Sequence, residues 1–153
     1  MTDHIRSARR VHVAAWMGVL ALSACVPIPR TDRASPRVLG NYRQADGTPI
    51  AGATLAVSTG EKGPICSGTL TKTVTDSAGH FEIPATEVHH SFTMLLGAFT
   101  TLYDVCALNG TAWQKLYRDQ PRKEPPKEVI LECTPPLEAS EGKCEVRGMT
   151  AAQ

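Results

Sequence analysis

The sequence predicts an all-β chain, a single antiparallel β-sandwich of about seven to eight strands, from three observations. Short runs rich in Val, Thr, Leu and Ile alternate apolar and polar positions. Asp-Gly, Asn-Gly and other glycine-centred turns separate these runs at intervals of about ten residues. The runs are about eight in number and each is short.

Residues 38–43 open the series, and Ala45-Asp46-Gly47-Thr48-Pro49 bends the chain tightly after them. Simple alternation in 53–58 puts Leu55 and Val57 on one face, and 69–75 alternates likewise with β-branched residues. Asp76-Ser77-Ala78-Gly79 forms the next turn, after which Phe81 and Ile83 point inward. Further strands are expected at 91–96, 100–108, 112–117 and 128–133, each bounded by Gly, Asn, Asp or Pro. Residues 94–108 are the one stretch with a composition that suits a helix, but Thr100, Thr101 and Tyr103 favour strands there. Asn109-Gly110-Thr111 has the form of a glycosylation sequon and reads instead as a hairpin turn.

The N-terminus has a different logic. Arg6, Arg9 and Arg10 precede an apolar run through Val13, Trp16, Met17, Val19 and Leu20, which closes on Leu22-Ser23-Ala24-Cys25. A basic start, a short apolar core and small residues at its end make a secretory signal, too short to span a bilayer as a helix. Its ending resembles the bacterial lipoprotein signal, which implies cleavage before Cys25 and lipidation of that cysteine. Two or three acyl chains hold a protein far more firmly than one, since each buried methylene contributes about 0.8 kcal/mol. By resemblance to known sorting rules, Val26 at the next position implies the periplasmic face of the outer membrane. The expected organisation is a signal peptide over 1–24, lipidated Cys25 with a Pro-rich tether over 25–36, a sandwich over 37–144 and a tail over 145–153. Fully extended, the tether would reach about 35 Å.

The sequence holds 16 Lys and Arg against 15 Asp and Glu. Loss of Arg6, Arg9, Arg10 and Asp3 with the signal leaves 13 against 14, a net charge near −1. That balance is not suited to nucleic acid, which asks for a basic stripe. Arg118, Arg122, Lys123 and Lys127 come nearest to one, but Asp119, Glu124 and Glu128 lie among them, and the stretch reads as a solvated loop. Of five cysteines, lipidation of Cys25 leaves Cys66, Cys106, Cys133 and Cys144. An even number in an oxidising compartment reads as two disulfides, and no pair has the spacing of a zinc finger or ribbon. Three pairings are open. Cys66–Cys106 with Cys133–Cys144 is preferred, because the second bridge would staple a short tail that is otherwise loose.

Asp46-Gly47-Thr48-Pro49-Ile50-Ala51-Gly52-Ala53-Thr54-Leu55-Ala56-Val57, followed by Thr73-Val74-Thr75-Asp76-Ser77-Ala78-Gly79-His80-Phe81-Glu82-Ile83, resembles the carboxypeptidase regulatory-like domain. The likeness covers residues 38–83 and implies a transthyretin-like, or prealbumin-like, sandwich. Its matched positions make the fold: Gly52 and Ala53 admit the turn into a strand, and Gly79 takes a positive φ. They imply no catalysis, so an individual function would be written in residues 84–144, which depart from the family.

Catalytic centres lack partners in the sequence. The ending Gly148-Met149-Thr150-Ala151-Ala152-Gln153 is unlike the Tyr-Arg-Gly-Ser of transthyretin-like hydrolases, and neither His80, His89 nor His90 has Glu three residues on. His89 and His90 would point to opposite faces if in a strand, and read as an exposed loop. Cys66-Ser67-Gly68 carries no cue for a partnering base, and Gly-x-Ser-x-Gly is missing. Tyr103, Trp113 and Tyr117 remain as binding candidates, because such rings anchor interfaces, with a core role as the simpler alternative. The expectation is a non-enzymatic lipoprotein without cofactor, a binding or structural accessory module of the cell envelope with a protein partner. The alternatives are an immunity or inhibitor lipoprotein that neutralises a toxic or lytic enzyme and, with least support, a hydrolase.

Overall fold

The computed structural model describes residues 29–59, 65–90, 100–136 and 142–151. The chain divides into two compact units, Met1–Arg30 with His89–Gly97 and Thr31–Val88 with Ala98–Gln153. Of the first unit, only residues 29–30 and 89–90 are described. Cys25 and the strand expected at 91–96 lie outside the described residues.

Ten strands make up the described chain, and no helix is found among its residues. In order they are β1 (Arg30–Ser35), β2 (Arg37–Tyr42), β3 (Thr54–Thr59), β4 (Thr69–Val74) and β5 (His80–Ile83). Then follow β6 (Thr86–His90), β7 (Tyr103–Asn109), β8 (Ala112–Arg118), β9 (Glu128–Thr134) and β10 (Lys143–Thr150). They form one four-stranded sheet ordered β10-β9-β2-β5, a second ordered β4-β3-β7-β8, and a two-stranded sheet of β1 and β6.

Alternation explains which faces meet. In β5, Phe81 and Ile83 are buried and His80 and Glu82 exposed, and in β9 Val129, Leu131 and Cys133 are the buried positions. These side chains, with Val38 and Tyr42 of β2, share one core with Leu55, Val57, Tyr103, Val105, Ala107 and Leu116 of the second sheet. The two sheets thus bury their inner faces together in a sandwich-like arrangement. The space is tight: a Cβ on Gly40 would overlap the Leu131 carbonyl oxygen and stand 2.8 Å from the tip of Phe81. Glycine there lets the Phe81 ring lie against the β2 backbone. Gly52 and Gly79 take φ of +71° and +77°, the left-handed values that their turns require. A Cβ on Gly79 would also meet the Tyr42 carbonyl oxygen at 2.6 Å.

Four details differ from the sequence reading. The sheets are not wholly antiparallel, because β9 returns from the second sheet to lie parallel to β2, Val38 beside Val129 and Gly40 beside Leu131. A parallel neighbour needs a long crossover, and local patterning carries no mark of it. Part of the expected tether is strand β1, whose Ser35 Oγ accepts the Thr86 N–H at 3.2 Å and whose Ala34 and Ser35, with Pro36 after them, are buried. Pairing there rests on backbone and polar contacts, so no apolar period advertises it. Residues 145–150 of the expected tail belong to β10, where the pairing register shifts between Val146 and Gly148 and breaks the period of two. Finally, His89 and His90 belong to β6 rather than to a loop.

Candidate functional site

The second sheet carries the features that set this chain apart, beginning with the disulfide Cys66–Cys106. Cys106 lies on β7 opposite Ala56 of β3 and Lys115 of β8, on the face turned away from the core. Cys66 belongs to the connection between β3 and β4, of which residues 65–68 are described, and the bridge fixes these residues against the sheet as a strap. Further bonds hold it: the Cys66 N–H donates to Asp104 Oδ2 at 3.4 Å, and the Ser58 hydroxyl donates to the Ser67 carbonyl oxygen. Cys66 itself has φ of +60°, a value unusual for a residue other than glycine. The result is that residues 55–58 of β3 and 103–107 of β7 are buried on both faces, Ala56 and Cys106 completely.

Under the strap lies an ion pair. Arg118 Nε and Nη2 donate to Asp104 Oδ1 and Oδ2 at 2.6 and 2.8 Å, a bidentate fork that holds the guanidinium charged. Asp104 is 5% exposed and depends on Arg118 and the Cys66 N–H for the stabilisation that water would otherwise supply. This arrangement is an anchor rather than a reactive centre: both carboxylate oxygens are engaged, and an arginine neither takes nor gives protons at ordinary pH.

The three aromatic candidates are not brought together. Tyr103 is 1% exposed and belongs to the core. Tyr117 packs beside it with ring centroids 6.1 Å apart and donates its hydroxyl to Asp119 Oδ1 at 3.2 Å. Burial first, then the Asp119 charge, pushes both phenols above their ordinary range. Tyr117 turns inward because β8 carries a bulge: Val105 pairs with Tyr117 and Cys106 with Lys115, which leaves Leu116 as the extra residue. Trp113, by contrast, pairs with Leu108 on the outer face, where Lys72 Nζ stands 5.5 Å from its ring centroid. Of the three, Trp113 is the one on a surface.

The basic stretch after β8 is not uniformly solvated. Asp119 is 4% exposed, with Arg122 Nε at 3.3 Å, and Arg122 makes a bridge to Thr101. Pro125 and Pro126 are buried, whereas Lys123, Glu124 and Lys127 are exposed. Sequence reasoning missed Asp104 and Arg118, whose pairing follows from strand register across β7 and β8.

The other predicted positions are plainly placed. Cys133 and Cys144 form the second disulfide, at paired positions of β9 and β10. His80 Nδ1 lies 3.3 Å from Asp76 Oδ2 in the turn between β4 and β5, with both side chains exposed. His89 is exposed on β6. Among the described residues, no three His, Cys, Asp or Glu side chains gather as metal ligands. Compared with known proteins, the chain matches no family model and no curated protein.

Proposed function

We propose that this chain is a non-enzymatic, lipid-anchored protein of the bacterial envelope that works by binding another protein from the periplasmic side of the outer membrane. The observation that carries the reading is the pair of disulfides closed within the domain, behind an N-terminus that ends its apolar run on Leu22-Ser23-Ala24-Cys25. Disulfides persist where the surroundings oxidise, which suits an exported protein. The fold fits a transthyretin-like sandwich of the carboxypeptidase regulatory-like kind, supported by the shared core of the two four-stranded sheets and by positive φ at Gly52 and Gly79. Fold alone does not bring a function, so the binding reading leans on Trp113 at the surface.

The inhibitor or immunity role is the second reading. It is favoured by the strap, which braces one face of the sheet in a fixed shape, as a tight protein inhibitor requires.

Fractionation of cells that express the intact chain or Cys25→Ser tests the anchor. The intact protein is expected with the membranes and the variant, uncleaved or released, without lipid on residue 25 by mass spectrometry. A lipidated variant, or an intact protein without lipid, would overturn the proposal.

A further inference from the structure

Strands β1 and β6 extend the pairing of β2 with β5. Val38 pairs with Ile83, and Ser35, three residues earlier, meets Thr86, three residues later. The same antiparallel ladder thus runs on past Pro36 and Pro84, away from the turn at residues 76–79 that joins β4 to β5. Its root is fixed: Ala34, Ser35 and Pro36 are buried, and Thr86 Oγ1 lies 3.2 Å from Thr71 Oγ1 of β4. Further along, the ribbon is less covered, with Thr31 and Glu87 exposed and Val88 40% exposed.

This pairing shortens the reach of the chain. Residues 25–36 as a free tether would span about 35 Å, whereas the six steps from Cys25 to Thr31 allow at most about 20 Å. The chain that follows directly on β6, Ser91-Phe92-Thr93-Met94-Leu95-Leu96-Gly97-Ala98-Phe99, contains no charged residue. Charge on the ribbon itself is mixed, with Arg33 among Asp32 and Glu87. Reach and apolar character, rather than attraction to anionic headgroups, therefore select what this end of the domain meets.

We infer that the outer end of the ribbon, around Thr31 and Val88, is the surface by which the domain lies against the bilayer, with lipid as its occupant. The inference rests on the lipid anchor proposed above and adds which part of the domain meets the membrane. Acyl chains on Cys25 keep Thr31 within about 20 Å of the lipid, so contact costs little further ordering. Val88 then gives up apolar surface to the headgroup boundary. Register places the other end of the domain. β4 enters the 76–79 turn after Val74, so Thr69 lies toward the ribbon, and Thr59 pairs with both Thr69 and Tyr103. β7 therefore starts at the ribbon end and reaches Leu108 at the opposite one. Trp113, paired with Leu108, is presented away from the membrane, toward a partner in the periplasm.

Photo-crosslinking in cells tests this, with p-benzoylphenylalanine in the full-length chain at Val88 or, at the opposite end, at Leu108, which is 37% exposed. The expected result is a phospholipid adduct at Val88, seen by mass spectrometry of the purified protein, and at least fivefold less at Leu108. A flexible Gly-Ser insert of about twelve residues after Pro27 should reduce the Val88 adduct at least threefold, because it removes the limit on reach. Unchanged thermal unfolding shows that the insert leaves the domain folded. With lipid found on Cys25, equal adducts at both positions, crosslinks from Val88 to protein alone, no adduct at Val88, or one that the insert leaves undiminished would overturn the inference and leave the anchor standing. Absence of lipid on Cys25 would overturn the anchor and the inference with it.

Discussion

On the outer face of the β10-β9-β2-β5 sheet, Glu82 and Glu128 lie 2.8 and 3.1 Å from Arg37, and Glu132 and Glu145 lie 2.6 and 3.5 Å from Arg147. These side chains are open to water, and each such pair contributes at most about 1 kcal/mol. The corresponding face of the β4-β3-β7-β8 sheet carries, among the described residues, the ion pair of Asp104 with Arg118 beneath a strap bonded to the sheet by Cys66–Cys106. Similar chemistry has different weight on the two faces because water screens the first and is kept from the Asp104 carboxylate in the second. The same difference appears in the strands: β5 alternates buried and exposed positions, whereas β3 and β7 are buried through consecutive residues.

The largest way to break the contrast is to remove the strap's bond. Replacement of both Cys66 and Cys106 by Ala should lower unfolding free energy by about 4 kcal/mol, from the 40-residue separation that the bridge closes. Replacement of Cys133 and Cys144, 11 residues apart, should cost about 3 kcal/mol, since a shorter loop loses less freedom. Urea unfolding of the two double variants under the same conditions measures the order, and a larger loss from the second would contradict the role given to the strap.

A step down in size, Arg118→Met leaves the Asp104 carboxylate buried with the Cys66 N–H as its one donor among the described residues, and a loss of about 3 kcal/mol is expected. Arg147→Met on the other face should cost less than about 1 kcal/mol. Equal losses by chemical denaturation would show that the two faces do not differ in this way.

The smallest effect concerns the layer between the faces. Burial raises the Tyr103 and Tyr117 phenols, so the folded chain keeps their protons after the unfolded chain has released them. Their stabilisation is complete below the ordinary tyrosine value of about 10 and is lost as pH rises above it, the larger part from the fully buried Tyr103. Urea midpoints between pH 9 and 11 should fall, and Tyr103→Phe should flatten the fall. At the acidic end, hydrogen bonds lower Asp46, Asp76 and Glu82, so their contributions are present above the ordinary carboxylate range and fade as pH falls through it.

Several features were legible in the chain because they depend on neighbours within a few residues. The turns at Asp46-Gly47 and at residues 76–79, the inward Phe81 and Ile83, and the inward Leu55 and Val57 follow from local conformational preference and the period of two. The even number of cysteines after Cys25 pointed to two bridges, and the preferred pairing is the one in the structure. Strand β1 was not legible, because Ser35 and Thr86 meet through polar contact across 51 positions. Strand β10 was hidden by its shift in register. The candidate site was legible only in part: Trp113 was singled out with Tyr103 and Tyr117, but composition alone does not say which ring faces water.

The sequence by itself determined that this is an all-β, disulfide-stapled chain with particular turns, since backbone propensity, alternation and cysteine parity are properties of short segments or of counts. Only the tertiary structure decided that β9 runs parallel to β2, that a bulge sends Tyr117 inward while Trp113 stays outside, and that Asp104 meets Arg118 beneath the Cys66 strap. Those outcomes depend on register between distant strands, where a shift of one residue exchanges the buried and exposed faces.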